Sequence, residues 1–257
     1  MQRFDASSEE LLSRFPKSRI ELPEAYRKIY VAHYVMNREG TSAATSVAKK
    51  LESWMHRMVA ADVANRKADY TTLEIGAGGL NHLPYEPAST PYDVVEPFEE
   101  LQANSPFRSR ISNFHRDLTE IQNKRYDRII SIAAFEHLCA MPSVVARCGT
   151  LLRSGGALRV AIPSEGTLLW TLGWKLTTGI EFRLRHGLDY GVLMRHEHVN
   201  AAEEIFEVVR LFFRRVTRKV FGICPSLSLY QFLRCTEPDI DRCTIYAGSQ
   251  SSPPKLV

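Results

Sequence analysis

An apolar run that breaks into glycines, Thr72-Leu73-Glu74-Ile75-Gly76-Ala77-Gly78-Gly79, is followed by a second short run, Tyr92-Asp93-Val94-Val95-Glu96, that ends on a carboxylate. Few architectures accommodate this pair. A strand ending in glycines lets the backbone approach a ligand closely, because no Cβ stands in the way. A carboxylate about one strand–crossover–strand unit further on suits the two hydroxyls of a ribose. The pattern predicts an α/β sheet that holds a nucleoside-type cofactor through Gly76, Gly78 and Glu96.

The surrounding texture agrees. Short apolar runs at 71–75, 92–96, 126–132 and 157–163 are separated by segments long enough for crossover helices, which predicts a parallel sheet covered on both faces. Two late segments, 216–223 and 243–248, read as closing strands. No strand signal precedes Tyr70. Ser8-Glu9-Glu10-Leu11-Leu12 starts one helix, and Pro23 starts another through Tyr26, Ile29, Tyr30, His33 and Tyr34. A longer helix follows Gly40-Thr41-Ser42, through Val47, Leu51, Trp54, Met55, Met58 and Val59. Residues 1–69 therefore read as an N-terminal helical cap and 70–257 as the main domain. An insertion at about 164–199, with its own helical pattern, reads as a substrate lid. Asn200-Ala201-Ala202-Glu203 resembles a capping box ahead of the next helix, and the final Ser-Ser-Pro-Pro-Lys-Leu-Val reads as frayed.

Composition narrows the function classes. A net charge of +4 over 257 residues is too weak to argue for nucleic acid. The five cysteines include no Cys-x-x-Cys pair, so neither a zinc site nor a disulfide framework is indicated, and a reducing cytoplasm is expected. The N-terminus has no apolar leader, and no stretch is long and apolar enough to span a bilayer.

A dinucleotide fold would want Gly-x-Gly-x-x-Gly, but the third position falls on Asn81, and Pro84 and Pro87 spoil the helix that should receive a pyrophosphate. The order of signals instead resembles the class I S-adenosylmethionine-dependent methyltransferases over roughly residues 70 to 250. Leu73-Glu74-Ile75-Gly76-Ala77-Gly78 is similar to their first motif; Leu80 stands where the family usually has a third glycine, and Gly79 serves instead. Glu96 matches the acid after the second strand, and His115-Arg116-Asp117-Leu118 the stretch around the adenine. Tyr126-Asp127-Arg128-Ile129-Ile130-Ser131, with Phe135-Glu136-His137-Leu138, resembles the fourth-strand motif, and Leu151 to Gly156 the Leu-x-x-Gly-Gly signature. The resemblance implies a Rossmann-like, doubly wound, mostly parallel seven-stranded sheet and S-adenosylmethionine as cofactor. It places Glu74, Gly76, Ala77, Gly78, Glu96, Asp117, Leu118 and Ser131 around that cofactor. The N-terminal helices and the Arg195–Asn200 stretch are similar to methyltransferases of bacterial polysaccharide or sugar-nucleotide pathways.

Methyl transfer from a sulfonium is an in-line displacement, so the protein has mainly to align the acceptor and exclude water. A base is needed only where the acceptor carries a proton that must leave, and histidine titrates in the right range. His137 is expected at the carboxyl edge after the fourth strand. His196 and His198 are expected on one side of an extended segment. No carboxylate or cysteine cluster completes a metal set with them, so no metal is expected. Tyr26, Tyr30, Tyr34 and Trp54 read as helical core. Leu169, Leu172 and Leu176 read as a stripe packed on the domain rather than a membrane contact. Lys175, Arg183, Arg185 and Arg195 suit an anionic group, so a small-molecule acceptor, a sugar or sugar-nucleotide hydroxyl or amine, is expected. A nicotinamide-dependent oxidoreductase and a non-catalytic nucleoside-binding protein of the same fold stay open as competitors.

Overall fold

In the computed structural model, which describes residues 4–30, 44–63, 69–88 and 90–249, the first strand sets the layout. Leu73 and Ile75 of β1 (Thr72–Ile75) face one core layer, and Glu74 faces the other, where its carboxyl accepts a hydrogen bond from Tyr92. Six strands join it: β2 (Tyr92–Val95), β3 (Asn113–His115), β4 (Tyr126–Ile132), β5 (Leu152–Pro163), β6 (Phe213–Cys224) and β7 (Leu227–Pro238). Their order is β3-β2-β1-β4-β5-β7-β6. Strands β1 to β5 run parallel, and β7 lies antiparallel between β5 and β6. This is the expected doubly wound, mostly parallel seven-stranded sheet. The winding reverses between β1 and β4, so the loops after those two strands diverge around a crevice at the carboxyl edge.

On one face lie α1 (Ala6–Leu12), α3 (Met141–Leu151), α7 (Ala202–Phe212) and α8 (Ile240–Ser249). Val144, Val145, Val208, Val209 and Phe212 bury there against Leu73, Ile75, Ile129 and Leu158. Each such side chain contributes about 1.5–3 kcal/mol by leaving water. The other face departs from expectation. Among the described residues, the three crossovers from β1 to β4 carry only 3₁₀ turns, at Leu83–Tyr85, Glu99–Gln102, Arg108–Arg110 and Leu118–Glu120. Pro84 sits inside the first of these turns, and Pro87 follows it, which stops a longer helix from forming. The layer is filled instead by α2 (Ala44–Ala60), whose Met55 and Val59 bury with Leu80, Tyr92, Val94, Ile130 and Phe232.

Two arginines from the sheet hold α2 in place. Arg128 of β4 and Arg159 of β5 are buried among apolar neighbours. Arg128 donates to the Val59 carbonyl at 2.7 Å, and Arg159 to the carbonyls of Val59 at 2.8 Å and Met58 at 2.6 Å. These are carbonyls of the last turn, which lack partners inside the helix and carry the negative end of its dipole. The buried guanidinium of Arg128 also meets Glu86 at 2.9 Å and Asp62 at 3.1 Å, so the charge taken into the core is matched. His82 donates to Glu86 at 2.6 Å and stacks with His56 and Tyr85. Burial lowers the His56 ring to about 4, with His82 adding to the effect, so the ring is neutral here.

One expected strand is not observed, and two observed strands, β3 and β7, were not expected. Residues 243–248 are helical, within α8, because Asp239 accepts from the Arg242 amide through its side chain at 3.2 Å and from Cys243 through its carbonyl at 2.9 Å. Thr244, Ile245 and Tyr246 carry β-branched or aromatic character, which tertiary context overrides. The closing strand is β7, whose alternation is masked because its Gln231 and Ser228 are buried too. Strand β3 is polar and short, and sits at the sheet edge.

The insertion folds as α4 (Leu168–Leu176), α5 (Thr178–His186) and α6 (Tyr190–Glu197). Residues 24–30 are helical and pack on it, with Leu22, Tyr26, Phe182 and Leu193 forming a small separate core. The packed leucine stripe is not observed. Leu169, Leu172 and Leu176 are exposed, and α4 turns Trp170 and Gly173 towards β7. No helix among the described residues is long and apolar enough to cross a membrane. The expectations at His33, Tyr34, Gly40–Ser42 and the tail beyond 249 lie outside the described residues.

Candidate active site

The carboxyl edge of the sheet gathers two groups of side chains, one on each side of the crevice. The first follows β1 and β2. Gly76 adopts φ +71° and Gly78 φ +48°, both in the left-handed region that glycine enters freely. A Cβ on Gly76 would lie 2.6 Å from the Cβ of Ala134, so the loop after β1 and the loop after β4 touch at this point. Leu80, at the family's third glycine position, takes φ 66° and is fully buried. A leucine there costs roughly 1–3 kcal/mol of backbone strain, which its packing offsets.

The carboxylate of Glu96 shapes this loop. It accepts from the amide of Gly78 at 2.8 Å and from that of Phe98 at 3.2 Å. A carboxylate offers about four lone-pair sites, so two remain for a pair of hydroxyls. Phe98, passed over in the sequence, is 43% exposed immediately beyond and offers a flat apolar face beside the acid. The signal was available: an aromatic two residues after the strand-ending acid.

Other expected cofactor residues take structural positions. The Glu74 carboxyl is buried in the layer under α2 with its proton held up to about pKa 8, chiefly by burial. Ser131 is fully buried and donates to the Ile75 carbonyl at 3.1 Å, linking β4 to β1. Leu118 has no exposed surface and belongs to the core. Asp117 starts the following turn, accepting from the Thr119 amide at 2.8 Å, and lies at the end of β3. Ala77 is buried against Leu80 and Leu83 in the same layer.

The close approach at Gly76 gives a direct prediction. Gly76→Ala should destabilise the chain by about 1–3 kcal/mol through strain and overlap, and weaken nucleoside binding. Adding Ala134→Gly should recover part of the loss in thermal unfolding. Equal stability of Gly76→Ala and the parent would show that the two loops do not meet.

The second group follows β4 and β5. His137 ends the turn Phe135–His137, and its Nδ1 donates to the Glu197 carbonyl at 3.0 Å. The ring of His198 lies 4.8 Å from that of His137, edge to face, and its Nδ1 donates to Glu165 at 2.7 Å. Glu165, two residues beyond β5, also accepts from the Trp170 indole at 2.8 Å. Burial opposes charge on His198, yet the Glu165 hydrogen bond and the Glu136, Glu165 and Glu197 charges hold its pKa above the ordinary value. Burial lifts the Glu136 carboxyl to about 7, partly opposed by His198.

Sequence alternation does not describe residues 194–198. The stretch is the last turn of α6, so His196 and His198 diverge. His196 donates to the Ile20 carbonyl at 2.6 Å and packs on Tyr30, away from the cluster. Three residues clamp the cluster from behind. Arg19 donates to the carbonyls of His137, His196 and Glu197. Lys17 reaches the Val199 carbonyl at 2.8 Å. Asn200, fully buried, donates to the carbonyls of Phe135 and Leu138 at 2.8 Å rather than capping α7.

No family model and no curated relative matches the chain. Solved structures do. An O-methyltransferase family protein from Burkholderia thailandensis superposes with a TM-score of 0.53 at 14% identity, covering 88% of this chain and 66% of that one. The chain thus spans 66% of that protein's length. The fold is that of the methyltransferases. The N-methyltransferase NodS from Bradyrhizobium japonicum WM9, in complex with S-adenosyl-L-homocysteine, superposes with a TM-score of 0.50 at 15% identity, covering 84% of this chain and all of that one. One neighbour is named for oxygen and the other for nitrogen, so the methyltransferase fold leaves the acceptor atom undecided.

Proposed function

We propose that the chain transfers a methyl group from S-adenosylmethionine to a small-molecule acceptor, a hydroxyl or amine. One observation carries this reading. The Gly78–Glu96 pair and the His198–Glu165 pair stand at the carboxyl edge, one after β1 and β2 and the other around β5, with the switch between β1 and β4 between them. The first pair suits a ribose and Phe98 an adenine; the second suits a nucleophile that must lose a proton. Exposed Lys175, Arg183, Arg185 and Arg195 on the insertion favour an anionic acceptor such as a sugar phosphate. A nicotinamide cofactor is disfavoured by the 3₁₀ turn after β1, which presents no helix N-terminus to a pyrophosphate. Calorimetry comparing S-adenosylhomocysteine with NAD tests the reading: uptake of NAD alone would overturn it.

Glu165 holds the Nδ1 proton of His198, so Nε2 is the nitrogen able to take a proton from the acceptor. The imidazole works when neutral. Its raised pKa places the rising limb of the pH–rate profile above pH 6.5. Glu165→Gln removes the main raising influence and leaves burial, so the limb should move to lower pH while the maximal rate falls roughly 10²-fold or more. A limb that stays put in Glu165→Gln would remove His198 from the base role.

A further inference from the structure

Glu136, His137 and His198 are drawn together from two loops, and their donor atoms all lie within 4.8 Å of one another. We propose that this cluster is a divalent transition-metal site, with zinc as its reference ion, held by the Glu136 carboxylate and the two imidazoles. Four features on either side of the cluster support it.

The Glu136 side chain is almost wholly buried, and its Oε2 makes no hydrogen bond among the described residues. An orphaned buried carboxylate oxygen is costly unless a cation or donor meets it. Both imidazoles have Nδ1 committed elsewhere, His137 to the Glu197 carbonyl and His198 to Glu165. That is the arrangement in which Nε2 becomes the metal ligand, with the partner fixing tautomer and ring orientation. The frame is preorganised: the Glu136 carbonyl accepts from the amides of Val199 at 2.8 Å and Asn200 at 3.1 Å, tying the glutamate to the residues after His198. The Arg19 contacts lock the same two loops together.

The donor set selects the ion. Two imidazoles and one carboxylate suit zinc and its neighbours, whereas magnesium prefers an all-oxygen shell. Three protein ligands leave open positions for water or an acceptor oxygen, as catalytic sites do. Bonds of about 2.1 Å require tetrahedral ligands about 3.4 Å apart. The widest spacing, 4.8 Å, must therefore close by about 1.4 Å on ion binding. In the loaded protein Nε2 of each ring is occupied, so the pH limb described above belongs to the ion-free form.

The site goes beyond the methyltransferase reading, since ion binding requires neither cofactor nor acceptor. The full chain, stripped with chelator, is titrated with zinc by calorimetry, and bound metal is counted by mass spectrometry. One ion per chain is expected. His137→Ala, His198→Ala and Glu136→Gln should each weaken binding by at least roughly tenfold, and Glu165→Gln, a positioning change, by roughly 10- to 100-fold. Cobalt should show ligation without the intense thiolate absorption, which separates this site from the five cysteines. Circular dichroism and S-adenosylhomocysteine binding establish that each variant is folded. No saturable uptake, or uptake undiminished in the His137→Ala/His198→Ala double variant, overturns the proposal. Loss of zinc binding with intact S-adenosylhomocysteine binding would leave the methyltransferase reading standing, and the reverse pattern would remove that reading alone.

Discussion

Glu96→Ala is expected to weaken S-adenosylhomocysteine binding by roughly 10- to 100-fold, the loss of about 1.5–3 kcal/mol from hydrogen bonds to a charged group. Two effects add. The variant removes the acceptor for the ribose hydroxyls, and it releases the amides of Gly78 and Phe98, which Glu96 holds at 2.8 and 3.2 Å. Glu96→Gln separates them. The amide keeps one acceptor oxygen, so it should preserve part of the loop shape yet lose the charge, and its affinity should fall between those of parent and alanine variant. Calorimetry at fixed pH reads both. Affinity equal to the parent's in Glu96→Ala would place the nucleoside somewhere other than this edge.

The largest effect on stability is expected at Arg128. Arg128→Met keeps the volume but removes the cation that the buried Glu86 carboxylate meets at 2.9 Å, and leaves Asp62 and the Val59 carbonyl to Arg159 alone. Breaking a buried pair from one side costs about 3–5 kcal/mol. For a chain of this size that corresponds to a fall in Tm of roughly 6–20 °C. Changing Glu86→Gln in the same chain should recover part of the loss, because the uncompensated charge goes with it. Thermal unfolding of the parent and the two variants checks the sequence of values. A single variant within about 1 °C of the parent would show that Arg128 adds nothing to the hold that Arg159 and the apolar face have on α2.

The sheet and its glycine–acid edge were legible because period and punctuation are local. Each of β1, β2, β4 and β5 is a run whose end is marked by glycine, an acid or a turn. Three kinds of feature were not local. Strand β7 pairs with β5 and β6 across long sequence separations, and its buried Ser228 and Gln231 look like surface residues until those partners are placed. Arg128 and Arg159 lie buried inside β4 and β5, and only the end of α2, far upstream, explains them. The cluster around His137 and His198 was half visible. His137 and His198 stood out as titratable residues, whereas Glu165 sat in an ordinary Ser-Glu-Gly turn and Glu136 was read as part of a motif rather than as a group with chemistry. His196, equally prominent in the sequence, was separated from His198 by the helical geometry of α6.

The layer beneath α2 also dictates an order of events during synthesis. Met55 and Val59 come off the ribosome early, but Tyr230 and Phe232, which complete their enclosure, follow more than 170 residues later. At ~5–20 residues per second the wait is about 10–35 s. For that interval one side of the growing sheet stays wet, and the final closure is a long-range event rather than a local one. Refolding should accordingly be limited by the docking of this helix, and cells that make the chain must shield an apolar surface until its tail end arrives.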